Sequence, residues 1–181
     1  MTIDDHFPEK ADPADLRSLF RYLRVCDVSD AMDGMGYFGT GLMDRQIRPV
    51  SLGTKFWGTA ATIRCVPSNK PMWTLPDTES IVDVHRIWAE GADAPWLMPA
   101  YGPGTVIVTD VGGAAEVGVW GSDNALMLMQ AGVVGIVTDG FARDTAELAL
   151  QGSPVFSRGR ARTIEAGRIE FKDVDVSIGC G

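Results

Sequence analysis

The sequence predicts an α/β fold built around a parallel strand–helix–strand unit. Residues 105–109 and 133–138 are short runs rich in β-branched side chains, which is typical of strands buried on both faces. Residues 123–130 have the composition of a helix, and Gly132 suits its C-terminal cap. A strand, a helix and a strand within about 35 residues form a βαβ crossover, so the two strands are expected to be parallel.

The N-terminal part of the chain is predicted to contain two helices and a strand. Asp12 suits a helix cap and Pro13 a first helical position, and the apolar residues that follow have helical spacing: Leu16, Leu19, Phe20 and Leu23. A second helix is expected over residues 29–35, with Ser29 as its cap. Residues 37–53 are rich in glycine and turn formers, which predicts an extended loop, and residues 56–66 have strand composition.

Further elements are predicted on both sides of the βαβ unit. A loop over residues 67–76, a helix over residues 78–90 and a proline-containing loop over residues 92–103 precede the first buried strand. Ile81, Val84 and Trp88 would share one face of that helix. Beyond the second buried strand, residues 144–150 predict a helix, and residues 154–156 and 174–178 predict short strands.

Length and composition suit one globular domain with a hydrophobic core. The chain has 181 residues, of which 45% are apolar and 22% charged. Its 16 basic and 24 acidic residues give a net charge of 16 − 24 = −8, without a basic stripe, which argues against nucleic-acid binding. No apolar run approaches the roughly 20 residues that span a bilayer, and residues 1–9 lack a signal-peptide core. We therefore expect a soluble cytoplasmic protein with neither a membrane nor a nucleic-acid partner.

The cysteines and histidines do not predict a metal site. Cys26, Cys65 and Cys180 are far apart and odd in number, so neither a disulfide framework nor a zinc knuckle is expected. His85 falls on the apolar face of its predicted helix, where a structural histidine is the more common interpretation. His6 lies near the start of the chain, and no cysteine and histidine have the spacing of metal ligands.

Three segments are expected to meet beyond the carboxyl ends of the buried strands, where ligands bind in α/β sheets. Residues 110–113 leave the first strand, residues 121–124 open the crossover helix, and residues 139–144 leave the second strand. This convergence follows from the topology alone. The sequence therefore predicts a ligand site at this edge of the sheet.

The residue types in these segments suit an anion and a hard cation. The unpaired amides of a helix start hold a carboxylate or phosphate, and here that start comprises Gly121, Ser122, Asp123 and Asn124. Arg143 offers a planar guanidinium to a carboxylate or a developing enolate oxygen. Asp144 offers carboxylate oxygens of the kind that Mg²⁺ prefers.

Each of these features also has a purely structural interpretation. An arginine and an aspartate at a helix start, such as Arg143 and Asp144, are more often a solvated base beside a cap. Ser122 is more often a plain cap than a ligand, and glycine pairs such as those in residues 112–113 are usually turns. At the level of residue pattern, both interpretations stay open.

Several stretches of the chain resemble the RraA-like family, which includes regulators of ribonuclease E activity and metal-dependent 4-hydroxy-4-methyl-2-oxoglutarate aldolases. The matching stretches cover residues 27–31, 58–66, 104–110, 120–121, 135–140 and 154–159. The most specific match is the spacing from Gly121 to the pair Arg143 and Asp144. The resemblance implies a three-layer β/β/α sandwich of the swivelling-domain type over residues 27–181, after an N-terminal helical segment at residues 1–26. It also implies a homotrimer or a pair of trimers.

The resemblance further implies a divalent-metal-dependent lyase acting on a 2-oxo acid. In the aldolases that the chain resembles, the amides of the loop at Gly121, Ser122, Asp123 and Asn124 hold the pyruvyl carboxylate. Arg143 would bind the pyruvyl unit and steady its enolate, and Asp144 would ligate Mg²⁺, Mn²⁺ or another divalent cation. The implied reactions are retro-aldol cleavage of a 4-hydroxy-2-oxo dicarboxylate to pyruvate and decarboxylation of oxaloacetate.

The chain departs from the pattern of this family at two places. Ser122 stands where the family usually has an acid, and the acid comes one position later, at Asp123. The chain stops at Gly181, where relatives usually continue through a glycine-rich β segment, so a shortened C-terminus is expected. Two alternatives therefore remain: a non-catalytic regulator that binds a ribonuclease, and a catalytically altered member with an unknown small-acid ligand.

Overall fold

The structure, a computed structural model, describes residues 17–69, 101–113 and 116–181. The cap residues Asp12 and Pro13, the predicted helix over residues 78–90 and most of its flanking loops lie outside the described residues. The N-terminal part of the described chain contains a 3₁₀ helix (Phe20–Tyr22), α1 (Val25–Gly34), β1 (Arg48–Pro49) and β2 (Thr59–Pro67). The remaining elements are β3 (Thr105–Asp110), β4 (Gly118–Trp120), α2 (Ser122–Gln130), β5 (Gly135–Thr138), β6 (Phe141–Ala142), α3 (Thr145–Gln151), β7 (Val155–Ser157) and β8 (Ile169–Val174).

A mixed six-stranded sheet organises the fold, with the strand order β1-β7-β5-β3-β2-β8. Its four inner strands are parallel, and β1 and β8 pair with them antiparallel at the two edges. In the centre, Val106 of β3 lies opposite Gly135 of β5 and Ala60 of β2. The α/β class and the parallel βαβ unit predicted from the sequence are therefore confirmed. A second sheet consists of β4 and β6, which are parallel.

The core lies on the inner strands and on one face of α2. Ile63, Ile107 and Ile136, one from each of three neighbouring strands, are fully buried. Burying a side chain of this size contributes about 1.5–3 kcal/mol. From α2, Ala125 and Leu128 join this cluster, in keeping with the helical period that places residues three apart on one face.

Two elements begin and end elsewhere than predicted. Helix α1 begins at Val25 rather than at Ser29, because the Asp27 carboxylate in its first turn accepts hydrogen bonds from the backbone amide and the guanidinium of Arg24. The Arg24 amide donates to Asp27 Oδ2 at 2.7 Å, and the Arg24 guanidinium pairs with Oδ1 at 2.6 Å. The strand predicted over residues 174–178 is wrong, because β8 spans Ile169–Val174 and the next residue, Asp175, has a left-handed φ of 53°.

Three short strands were not predicted. β1 interrupts the expected loop over residues 37–53. β4 precedes the crossover helix α2, and β6 follows the turn after β5. These strands are two or three residues long, too short to display an alternating pattern. Other boundaries agree with prediction to within a few residues, including α3 and β7. Within the described residues, none of the helices is long and apolar enough to cross a membrane.

Candidate functional site

The three segments predicted to meet do lie together. At the ends of β3 and β5, the buried Asp139 carboxylate accepts hydrogen bonds from the amides of Val111 at 2.6 Å and Gly113 at 3.2 Å. Trp120 Nε1 donates to the buried Thr109 hydroxyl at 3.0 Å. The Arg143 amide donates to the Trp120 carbonyl at 2.9 Å. Hydrogen bonds thus join the end of β3, the start of α2 and the turn after β5.

Gly121 lies in direct contact with the side chains of Arg143 and Asp144. A Cβ at Gly121 would be 2.6 Å from Asp144 Oδ2 and 2.8 Å from Arg143 Nε, closer than atoms normally pack. The backbone angles of Gly121, φ −119° and ψ −179°, are open to any residue. Glycine is therefore required at position 121 because the side chains of Arg143 and Asp144 lie so close to its Cα, and not because of its backbone conformation. Both side chains face the start of α2.

Asp144 has an unusual backbone conformation at the point where it meets its partners. Its φ of 50° and ψ of 40° lie in the left-handed region, which aspartate tolerates better than most residues. Oδ2 accepts a hydrogen bond from the Ser122 amide at 3.2 Å and lies 3.4 Å from Arg143 Nε. The side chains of Arg143 and Asp144 are 31% and 37% exposed, so a ligand from solvent can reach both.

The start of α2 retains backbone donors for an anion. Its first intrahelical hydrogen bond runs from the Ala125 amide to the Gly121 carbonyl at 3.1 Å. The Ser122 amide is taken by Asp144, whereas the amides of Asp123 and Asn124 donate to no acceptor in the described chain. Unpaired amides at a helix N-terminus carry partial positive charge and favour anions. Of the amides of residues 122–124, which were predicted to bind a ligand, two therefore remain available.

The guanidinium of Arg143 is also open. Its Nε faces Asp144, and its two terminal nitrogens meet no hydrogen-bond acceptor among the residues that the structure describes. The planar pair of terminal nitrogens matches the two oxygens of a carboxylate. Arg143 thus presents its fork beside the unpaired amides of α2, which creates a positive surface of the kind that a carboxylate needs.

Asp144 offers a partly exposed carboxylate for a metal ion, and the described residues form no preformed cluster around it. No group of three acidic, histidine or cysteine side chains able to hold a metal is found within residues 17–69, 101–113 and 116–181. Mg²⁺ commonly binds through one or two carboxylates and keeps several waters, so a partly exposed aspartate such as Asp144 suits it. The thiols of Cys65 and Cys180 do not suit a cation at neutral pH, since burial raises the pKa of each to about 12.

One further acid, Glu165, was missed by sequence reasoning. Burial raises the pKa of its carboxyl above the usual value of 4.5, although a hydrogen bond with its own backbone amide and the positive charge of Arg143 both lower it. Glu165 lies beyond β7, far along the chain from Arg143, and no spacing rule connects the two. Tertiary structure brings the segment before Glu165 to Arg143, because the Thr163 carbonyl and Arg143 Cβ both adjoin Gly118.

Comparison with known proteins decides the family. A model of the RraA-like family, described as Aldolase/RraA, matches residues 25–181. The chain belongs to the RraA-like family. This confirms the resemblance found in the sequence.

A sequence relative is similar over most of the chain. Protein DlpA of Legionella pneumophila (strain Philadelphia 1) is 29% identical over 133 residues, which cover 74% of this chain. Those residues amount to 18% of DlpA, so the chain spans less than a fifth of that relative.

Two solved structures have the same fold. RraAS2 of Streptomyces coelicolor, an unusual member of the RNase ES inhibitor RraA protein family, has a TM-score of 0.70 and 19% identity, covering 96% of this chain and 77% of RraAS2. An uncharacterized protein from Pseudomonas syringae pv. tomato str. DC3000 has a TM-score of 0.69 and 24% identity, covering 94% of this chain and 71% of that protein. The predicted RraA-like fold is confirmed, and a three-layer sandwich agrees with it.

Proposed function

We propose that the protein is a divalent-metal-dependent carbon–carbon lyase that acts on a small 2-oxo acid. The observation that supports this most is the meeting of Arg143 Nε and Asp144 Oδ2 against Gly121, beside the unpaired amides of α2. A fixed cation, a partly exposed carboxylate and free amides at one place are the groups that binding a 2-oxo acid and stabilising its enolate require. Membership of the RraA-like family, which is described as Aldolase/RraA, favours the same activity.

The substrate carboxylate binds, in this proposal, between Arg143 and the start of α2. The terminal nitrogens of Arg143 pair with its two oxygens, and the amides of Asp123 and Asn124 donate to the same group. Charge-assisted hydrogen bonds of this kind contribute roughly 1.5–3 kcal/mol each. This local positive surface contrasts with the net charge of the chain, which is −8.

Asp144 is the residue that would hold Mg²⁺ or Mn²⁺. A bound divalent cation polarises the 2-oxo group and so favours breaking of the adjacent carbon–carbon bond. Asp144 is held ready by the Ser122 amide and by its left-handed backbone conformation, which directs the carboxylate towards Gly121. A carboxylate positioned in advance need not reorganise during the reaction.

Arg143 stabilises negative charge on the enolate oxygen as the bond breaks. Its backbone is fixed by the hydrogen bond from its amide to Trp120, and its Cβ packs against Gly118. Loss of one donor to a developing oxyanion costs about 3 kcal/mol, equivalent to a 10²- to 10³-fold loss of kcat. Replacing Arg143 by alanine should therefore lower turnover by about that factor.

Ser122 favours decarboxylation over retro-aldol cleavage in this protein. Retro-aldol cleavage needs a base to take the proton of the 4-hydroxyl group, whereas oxaloacetate loses the carboxylate β to its oxo group as CO₂ and leaves the pyruvate enolate without such a base. Ser122 is uncharged and only 9% exposed, so it does not supply that base. We therefore expect oxaloacetate to be a better substrate than 4-hydroxy-4-methyl-2-oxoglutarate.

The test is pyruvate release from each of these two acids, with Mg²⁺, with Mn²⁺ and with EDTA. Asp144→Ala should abolish metal dependence, and Arg143→Ala should lower kcat/KM. Matched controls are Asp33→Ala and Arg21→Ala, which truncate exposed residues of the same types outside the site. Absence of metal-dependent pyruvate release from both acids would refute the proposal, as would equal losses in the site variants and their controls.

A second candidate function is regulation of a ribonuclease by protein binding. The likeness to RraAS2, whose family is described as inhibiting RNase ES, favours it, and a net charge of −8 suits a partner with a basic, RNA-binding surface. Under this alternative, the protein should retain purified ribonuclease E on a column at low salt and release it at high salt. Failure to retain the enzyme at low salt would count against regulation and leave the lyase proposal intact.

We also propose a homotrimer or a dimer of trimers, as the resemblance implied. Apolar side chains around α1 are exposed, and they border a groove of about 570 Å³ lined in part by Leu42, Met43, Phe56 and Phe156. Exposed apolar surface of this extent is typical of interaction sites. Light scattering should give the mass of three or six chains, and a monomer would contradict this proposal.

A further inference from the structure

The groove of about 570 Å³ lies against the face of the six-stranded sheet that is opposite the core. Val137 of β5 and Phe156 of β7 line it and are paired in the sheet. Each follows a fully buried core residue, and neighbouring side chains of a strand point to opposite faces. The Phe56 ring packs edge-on against Phe156, with ring centroids 5.5 Å apart and planes at 87°. The floor of the groove is therefore apolar and half-buried.

The sides of the groove are apolar as well. Val25, at the start of α1, and Leu42 and Met43, in the segment before β1, line it with exposed side chains. Sites for small molecules typically have volumes of about 300–1,000 Å³ and a mostly apolar lining with a few polar groups. The size and the lining of this groove thus suit a hydrocarbon chain.

The charged side chains that line the groove are mainly basic. Asp44 is the acid among them, and both of its oxygens are engaged: Oδ2 lies 3.2 Å from Arg158 Nη2, and Oδ1 accepts the Gln46 amide at 2.8 Å. An ion-paired carboxylate of this kind adds little repulsion for an anion. The basic residues of the lining are Arg24, Arg45, Arg48 and Lys55.

Two of these bases, Arg45 and Arg48, have open guanidinium groups. Neither forms a side-chain hydrogen bond or an ion pair within the residues that the structure describes. By contrast, the Arg24 guanidinium has a carboxylate partner at 2.6 Å, and Lys55 Nζ lies 5.5 Å from the centroid of the Trp57 ring. A guanidinium matches the two oxygens of a carboxylate. A chain with a net charge of −8 thus presents two open cations beside an apolar groove.

We propose that this groove binds an amphiphilic carboxylate, that is, a single hydrocarbon chain that ends in a carboxylate group. The carboxylate pairs with Arg45 and Arg48, and the hydrocarbon chain packs on Phe56 and Phe156. The lining shares no residue with the candidate lyase site, so this ligand is distinct from the 2-oxo acid. The inference does not depend on the proposed lyase activity.

The experiment is calorimetric titration of the full chain with decanoate, below the concentration at which decanoate forms micelles. Two comparison compounds separate the contributions of chain and charge. Butanoate keeps the carboxylate and shortens the chain, and decyltrimethylammonium keeps the chain and reverses the charge. Each buried CH₂ group changes affinity about fourfold, so butanoate should bind at least about tenfold more weakly than decanoate. Decyltrimethylammonium should bind weakly as well, because it cannot pair with the two arginines.

A pair of double variants tests the charged part of the groove. Arg45→Ala/Arg48→Ala should weaken decanoate binding by about tenfold or more, since it removes the charge-assisted hydrogen bonds. The matched control is Arg21→Ala/Arg162→Ala, which truncates two exposed arginines outside the lining. This control should bind decanoate as tightly as the wild type.

A second pair of variants tests the apolar part. Met43→Glu introduces an acid at an exposed position of the lining, so it should weaken decanoate binding by about tenfold or more and spare the fold. Met127→Glu, at an exposed position of α2 outside the lining, is its control and should bind normally. Circular dichroism of each variant verifies that the fold is retained.

Several results would overturn the inference. They are absence of decanoate binding, equally tight binding of butanoate or decyltrimethylammonium, and equal losses in the groove variants and their controls. Light scattering tests a second copy of the chain as the occupant: if Met43→Glu lowered the mass of the assembly and the wild type bound no decanoate, the groove would be a contact between copies. Decanoate binding without pyruvate release from either acid would refute only the lyase proposal.

Discussion

Replacing Gly121 by alanine is the most direct test of the geometry at the site. The added Cβ would lie 2.6 Å from Asp144 Oδ2, 2.8 Å from Arg143 Nε and 3.1 Å from Arg143 Cγ. Ordinary contact begins at 3.4 Å, so the carboxylate must move by about 3.4 − 2.6 = 0.8 Å. The backbone at residue 121 accepts alanine without strain, so the change acts on the two functional side chains and not on the fold.

The expected loss of activity is larger than the expected loss of stability. Displacing a positioned group by about 1 Å lowers the rate about 10²-fold, or about 2.7 kcal/mol in the barrier. The hydrogen bond from Ser122 to Asp144 would be weakened, which lowers the free energy of unfolding by about 1 kcal/mol. Gly121→Ala should therefore remain folded at room temperature while pyruvate affinity and kcat/KM both fall.

The assays are pyruvate titration, oxaloacetate turnover with Mg²⁺ and urea unfolding. Gly34→Ala is the matched control, because a Cβ at Gly34 would meet nothing within 4 Å and alanine favours helix by roughly 0.5–1 kcal/mol over glycine. That control should bind pyruvate normally and be at least as stable as the wild type. If Gly121→Ala kept wild-type affinity and turnover, Arg143 and Asp144 would not act where the structure brings them together.

Two further predictions concern the groups that surround the site. Trp120→Phe removes the hydrogen bond from Nε1 to the buried Thr109 hydroxyl. The free energy of unfolding, measured by urea denaturation, should fall by about 1–2 kcal/mol. An unchanged midpoint of the urea transition would contradict this prediction. Glu165 has a raised pKa in the folded state, so the folded protein binds more protons than the unfolded chain between pH 4.5 and that raised pKa. Stability should fall as pH rises through this window, and Glu165→Gln should reduce the fall. Equal slopes for both proteins in unfolding experiments at several pH values would argue against a raised pKa at the partly buried Glu165.

Much of the fold could be predicted because its central strands are buried on both faces. Residues 105–109 and 133–138 combine β-branched composition with a helix between them, and β3, α2 and β5 occur there. The strand predicted over residues 174–178 failed because pairing with β2, and not local composition, determines where β8 ends. β4 and β6 were missed for the same reason, since two or three residues become strands only when a partner is present.

The residues of the candidate site could be predicted from the sequence, but their arrangement in space could not. Gly121, Arg143 and Asp144 were singled out from topology and residue type, and the structure places them in contact. That Asp144 occupies the Ser122 amide, which leaves the amides of Asp123 and Asn124 for a ligand, depends on a left-handed backbone conformation at Asp144.

Secondary structure and chain topology depend largely on residues that are close in the sequence. The sequence by itself therefore determined the α/β class and the parallel βαβ unit, and it identified Arg143 and Asp144 as candidate site residues. The tertiary structure alone decided that the segment after β7 adjoins Arg143 at Gly118, and that a glycine at position 121 is required by close packing. The physical reason is that electrostatic and packing interactions depend on distance in space. The distance between two residues far apart in the sequence cannot be predicted from their separation along the chain. Here that distance is set only when β6 and the segment after β7 pair.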